Sequence, residues 1–183
     1  MDTLLRRRMM MGGGSSPTPP TQYTIVVYPS SYDQDNIAVV NPQNIENGYA
    51  AKNSSSYAQL GLVATEAYCQ TYFYYKFDLS QIPAGATIDS VTLDAKGSIN
   101  SSLDARVRER YMVVCNGTTP VGTASEKMGT TPTIYNLDTG SGWTASNISN
   151  IAVKLFAERG SQGLDVNNYF RFYGADLTIT YTI

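Results

Sequence analysis

Residues 72–79 run Tyr-Phe-Tyr-Tyr-Lys-Phe-Asp-Leu, and their alternation decides the fold class. Phe73, Tyr75, Phe77 and Leu79 fall on one face, while Tyr72, Tyr74, Lys76 and Asp78 fall on the other. That is the period of two expected of a half-buried strand. The stretch ends in Gln-Ile-Pro-Ala-Gly-Ala at 81–86. Pro83 fixes φ there, Gly85 is free to take a positive φ, and Ile82 and Ile88 are placed to pack across the turn. Residues 87–96 then resume as a strand through Ile88, Val91, Leu93 and Ala95.

Working outward, the same signals recur. Residues 23–28 are β-branched and aromatic, and Pro29-Ser30-Ser31 is expected to stop them. Residues 106–115, 134–137 and 176–183 are further strands, the last alternating Leu177, Ile179, Tyr181 and Ile183 against polar partners. In residues 146–160 helical and strand spacings compete; a short helix near 145–150 leading into a strand at 151–159 is expected. No repeat of 20–50 residues is present, which excludes a solenoid or propeller. The expected fold is all-β: a single antiparallel β-sandwich or jelly roll with one short helix, preceded by an extended N-terminal arm.

Composition narrows the function. The chain has 183 residues, enough for one packed domain. Charged residues are 15%, Tyr numbers 14, and His is absent. Without His there is no His-dependent triad, imidazole ligand or imidazole acid–base catalyst. Two Cys allow one intramolecular disulfide and no zinc site of their own. The formal charge of −2 argues against nucleic acid, and no stretch approaches the 18 or more apolar residues of a membrane span. Residues 1–21 hold three arginines against one aspartate, whereas ten basic side chains face fourteen acidic ones thereafter. The organisation expected is a docking peptide at 1–11, a Gly/Ser/Pro linker at 12–21 and the β-sandwich at 22–183. In the peptide, Leu4, Leu5, Met9, Met10 and Met11 supply apolar contact around the cations Arg6, Arg7 and Arg8. No secretory signal is readable, because only three Met follow the arginines before Gly and Pro.

The run YYKFDLSQIPAGATIDSVTLDAK at 74–96 resembles a hallmark of β-sandwich modules in bacteriophage virion proteins and secreted bacterial surface proteins. Gly142-Trp143-Thr144 with the Ile-rich segment after it, and FRFYGADLTITY at 170–181, resemble the same modules in the same order, as does YTIVVYPSSYD at 23–33. The leading LLRRRMMM is similar to N-terminal peptides of phage proteins from gut bacteria. This resemblance implies a structural component of a virion, assembled in the bacterial host cytoplasm. It would be anchored through the arm to other virion proteins and be present as a homo-oligomer or in many copies. Modules of the same kind occur in adhesins and carbohydrate-binding proteins, so the alternative is recognition of a cell-surface or mucus glycan.

The residues themselves offer few chemical sites. Asp33-Gln34-Asp35-Asn36 fails as an EF-type calcium loop, since position six is Ala38 and position twelve Asn44, and is expected to be a polar turn. Arg106, Arg108 and Arg110 alternate, forming either a solvated strand face relieved by Asp104 and Glu109 or a contact stripe for an acidic partner. Cys69 and Cys115 are both expected to be buried thiols. Tyr68, Tyr72 and Tyr74 share the face opposite the core; Tyr28, Tyr32, Tyr49 and Tyr57 lie in early strands or loops. Such rings stack on sugars or sit in interfaces, and a second sheet or subunit could equally cover them. The Asn-X-Ser/Thr patterns at Asn53, Asn100, Asn116 and Asn147 are expected to be coincidental. No catalytic residue, cofactor or metal ligand is expected, and the protein reads as a non-enzyme.

Overall fold

A computed structural model of the chain describes residues 19–35, 42–61, 70–100, 107–159 and 169–183. Among them the strands are β1 (Gln22–Val27), β2 (Pro29–Asp35), β3 (Ala58–Gly61), β4 (Gln70–Phe77) and β5 (Thr87–Ile99). They continue with β6 (Val107–Asn116), β7 (Thr119–Pro120), β8 (Thr133–Leu137), β9 (Ile151–Arg159) and β10 (Tyr169–Thr182). The first sheet is ordered β1-β10-β5-β8, with β3 beside the first half of β10 where β1 lies beside the second. The second sheet is β2-β4-β9-β6-β7. Every pairing is antiparallel, giving the all-β sandwich that the alternation at 72–79 implies.

The core lies between the sheets. Phe73, Tyr75 and Phe77 of β4 face Phe170, Phe172, Leu177 and Ile179 of β10, with Leu93 of β5 and Val153 and Leu155 of β9 filling in. Tyr75 stacks on Phe172 at 4.2 Å between ring centroids, and Phe73 meets Phe170 edge-on at 6.3 Å. Rings of this size bury the most apolar area per residue, so they carry most of the drive to close the sandwich.

Several sequence expectations are corrected here. Pro29 does not end the β-structure; the chain leaves the first sheet at Val27 and enters the second at Pro29, which pairs with Phe77. Proline is tolerated as the first residue of an edge strand because it has no N–H to give the ladder. Asp33 lies in that edge strand rather than in a polar turn, and its carboxylate accepts from Lys76 at 3.1 Å. Gly85 does not use a positive φ. The turn is closed by Ile82 N–H to the Leu79 carbonyl and Ala86 N–H to the Pro83 carbonyl, each at 3.0 Å. The expected helix near 145–150 is one 3₁₀ turn, Ile148–Asn150, and the strand after it spans 151–159 as expected.

The final strand begins at Tyr169 rather than at 176. A bulge breaks the alternation between its two halves. Phe170 and Phe172 point inward on even numbers, and Leu177, Ile179 and Tyr181 on odd ones, the phase changing at Gly174. Gly174 has φ of 132°, and a Cβ there would lie 2.1 Å from the Ala50 carbonyl oxygen. Only glycine admits that crossing, in which Ala175 N–H donates to Ala50 at 3.0 Å.

Candidate functional site

At one end of the sandwich, residues 88–91 of β5 and the loop 139–143 enclose a pocket of about 220 Å³. The loop is fixed by its own polar side chains. Asp138 accepts from Gly140 N–H through Oδ1 and from Thr123 N–H through Oδ2, both at 2.9 Å. Asn147 accepts from Thr144 N–H at 2.8 Å and donates to the Gly142 carbonyl at 3.1 Å. Thr139 Oγ1 donates to the Val91 carbonyl at 2.9 Å, which ties the loop to β5. Gly140 sits at φ 64°, with the Val121 carbonyl oxygen 2.3 Å from where a Cβ would be, so the turn accepts no side chain at that position.

This scaffold holds one aromatic ring and one carboxylate. Trp143 is half-buried against the core, and its indole N–H donates to the Thr139 carbonyl at 2.8 Å, which locks the ring plane. Asp89 contributes a carboxylate whose Oδ2 accepts from Thr182 Oγ1 at 2.6 Å and from Gln22 Nε2 at 3.1 Å. The Thr182 and Gln22 hydrogen bonds hold its pKa below the usual carboxylate range, so it is charged at neutral pH. Ser90 and Ser141 add exposed hydroxyls. No cation lines the pocket.

The residues singled out from the sequence lie elsewhere. Leu4, Leu5, Arg6, Arg7, Arg8, Met9, Met10, Met11, Tyr68, Cys69 and Arg106 fall outside the described residues. Arg108 is placed in β6. Arg110 is half-buried, and its Nε donates to the Met128 carbonyl at 2.7 Å. That bond makes Arg110 a brace between β6 and the segment leading to β8.

Tyr72 and Tyr74 do occupy the face opposite the core, as the alternation requires. They are not an open platform. Tyr74 is 4% exposed, in a second cluster with Val113, Cys115 and Ala152, and Phe156, paired with Tyr72 across the strands, is 6% exposed. Tyr72 stacks on Phe156 at 5.3 Å and Tyr111 on Phe156 at 4.6 Å. Lys154 lies 3.8 Å from the Tyr72 ring centroid, a cation–π contact worth on the order of 1 kcal/mol. Cys115 is buried beneath this layer as expected, and burial pushes its thiol pKa up to about 11. A stack closed in this way leaves no bare ring face for a sugar at Tyr74.

Neither Trp143, which stands within the Gly-Trp-Thr motif, nor Asp89 is among the site residues expected from the sequence. The signal present was Asp-Thr-Gly-Ser-Gly-Trp at 138–143, a turn-forming run ending in the chain's single Trp.

No family model matches the chain, and no curated protein matches it. Among solved structures it is similar to the CBM36-1 domain of a multidomain xylanase from the hindgut metagenome of Trinervitermes trinervoides. The identity is 10% and the TM-score 0.38, over 86% of this chain and 96% of that one.

Proposed function

We propose that the protein is a non-catalytic saccharide-recognition module and that its Trp143 pocket takes a neutral sugar ring. The observation that supports this reading is the rigid joining of Trp143 to Asp89 across one small pocket. A sugar ring has apolar C–H faces and a rim of hydroxyls, so it calls for an aromatic surface beside fixed acceptors. Asp89 Oδ1 has no hydrogen-bond partner among the described residues and is available to a sugar hydroxyl. The volume, below the roughly 300–1,000 Å³ of a drug-sized site, suits a single ring. A lone carboxylate without a cation repels uronates and sulfated sugars, which is why the ligand is neutral. Pre-formed loops add affinity by removing ordering costs on binding. The test is a glycan array probed with the full chain and with W143A and D89N. Selective binding of neutral glycans that both variants lose by tenfold or more supports the reading. Binding that survives both substitutions contradicts it.

A further inference from the structure

The other end of β10 carries the opposite charge. Tyr169, Arg171 and Tyr173 alternate on the outer face of the first sheet, since Phe170 and Phe172 between them enter the core. Tyr57 comes down onto them from the segment before β3. The Arg171 guanidinium carbon lies 5.0 Å from the Tyr57 ring centroid and 5.6 Å from that of Tyr169. The Tyr57 and Tyr173 rings are 5.2 Å apart, tilted by 58°. From β5, the Lys96 ammonium sits 4.8 Å from the Tyr173 centroid and donates to the Ser54 carbonyl at 3.0 Å. Two cations thus share a frame of three tyrosines.

Among the described residues, neither cation is paired with a carboxylate. The ion pairs among the described residues join Lys52 to Asp94 and Asp176, and Lys76 to Asp33. Arg171 Nε is buried and has no hydrogen-bond partner among the described residues, while the guanidinium hydrogen-bonds the Tyr169 side chain. The guanidinium is only partly satisfied, and an anion arriving at its exposed side would add charge-assisted hydrogen bonds. The site is also reachable: Arg171, Lys96, Tyr57 and Tyr169 are all partly exposed.

We propose that Arg171, supported by Lys96, is a second binding site that takes the carboxylate of an acidic sugar. Guanidinium offers a planar fork matching a carboxylate, and the rings beside it offer stacking area for the pyranose that bears the group. A bare carboxylate would satisfy the fork and leave the tyrosines unused; a uronate uses both. From Arg171 to Tyr181, beside Ile88 and the Trp143 pocket, β10 runs ten residues or roughly 30 Å. The two sites are therefore separate and select ligands of different charge, and this one stands whether or not the Trp143 pocket binds a neutral sugar.

The test uses calorimetric titration of the full chain with oligogalacturonate and with its methyl ester, which keeps the ring and removes the charge. The acid should bind at least tenfold tighter than the ester and weaken as salt is raised. R171M, which keeps the aliphatic stem, should lose at least tenfold in affinity for the acid. Emission from Trp143 should not move during the titration. If R171M also lowers the melting temperature, R171K carries the comparison, because it keeps a cation between the rings and removes only the fork; it should bind several-fold more weakly. Equal affinity for acid and ester, unchanged binding by R171M or R171K, a shift of Trp143 emission, or no binding of the acid would each overturn the proposal.

Discussion

The outer faces of the two sheets both carry aromatic rings beside cations, and they are used in opposite ways. On the second sheet Tyr72, Tyr74, Tyr111 and Phe156 close around Lys154, with Tyr74 and Phe156 nearly as buried as the core. On the first sheet Tyr57, Tyr169 and Tyr173 stand around Arg171 and Lys96; Tyr173 is buried, and the other four side chains are partly exposed. Aromatic composition alone does not separate the two. What separates them is whether ring faces are already covered by other rings of the chain.

The largest effect expected from that difference is on stability. F156A on the outer face should cost about 3–5 kcal/mol, as much as F73A in the core, because both remove a closely packed ring. Denaturant unfolding gives the two values; a loss below about 1 kcal/mol for F156A would mean the second face is open after all. Next comes the loop that carries Trp143. G140A forces a side chain into a positive-φ site against the Val121 carbonyl and should cost about 1–3 kcal/mol while weakening saccharide binding. Retained affinity with lowered stability would show that the pocket does not depend on the turn.

A smaller effect is expected where the first sheet's outer face is held by charge. Burial alone would raise the Asp94 pKa, but the bonds from Lys52 and Asn136 outweigh it and hold it below the usual carboxylate range. A lowered folded-state pKa contributes stability above the unfolded value near 4, and that contribution is lost as pH falls through the folded value. D94N should therefore cost less than about 1 kcal/mol at pH 7, since the groups are partly exposed, and the gap to wild type should close in acid. A gap that persists at low pH would indicate packing rather than charge. Smallest of all is Y75F. The Tyr75 hydroxyl is buried without a hydrogen-bond partner among the described residues, so its removal should leave thermal unfolding unchanged or slightly raised. A loss above about 1 kcal/mol would point to a partner for that oxygen.

The sandwich was legible because alternation is a local property. Phe73, Tyr75, Phe77 and Leu79 were assigned inward from spacing alone, and all four are buried. What spacing could not show is the switch of sheet at Pro29 or the phase change at Gly174, because each depends on strands far away in sequence. The sites were legible less well for the same reason. Tyr74 was rightly placed on the outer face, but its cover comes in part from Val113, Cys115 and Ala152, on strands that pairing brings alongside. Asp89 meets Trp143 across 54 positions, and Arg171 meets Tyr57 across 114, so neither pair leaves a local motif.

The central claim is that Trp143 lines a saccharide pocket, and the chain supplies its own probe, because Trp143 is its single tryptophan. Fluorescence excited beyond the tyrosine band, followed during titration with the neutral oligosaccharide selected on the array, reads that ring alone. The account predicts a saturable change in emission that D89N shifts to at least tenfold higher ligand concentration. Saturable binding by calorimetry with no change in Trp143 emission would contradict it.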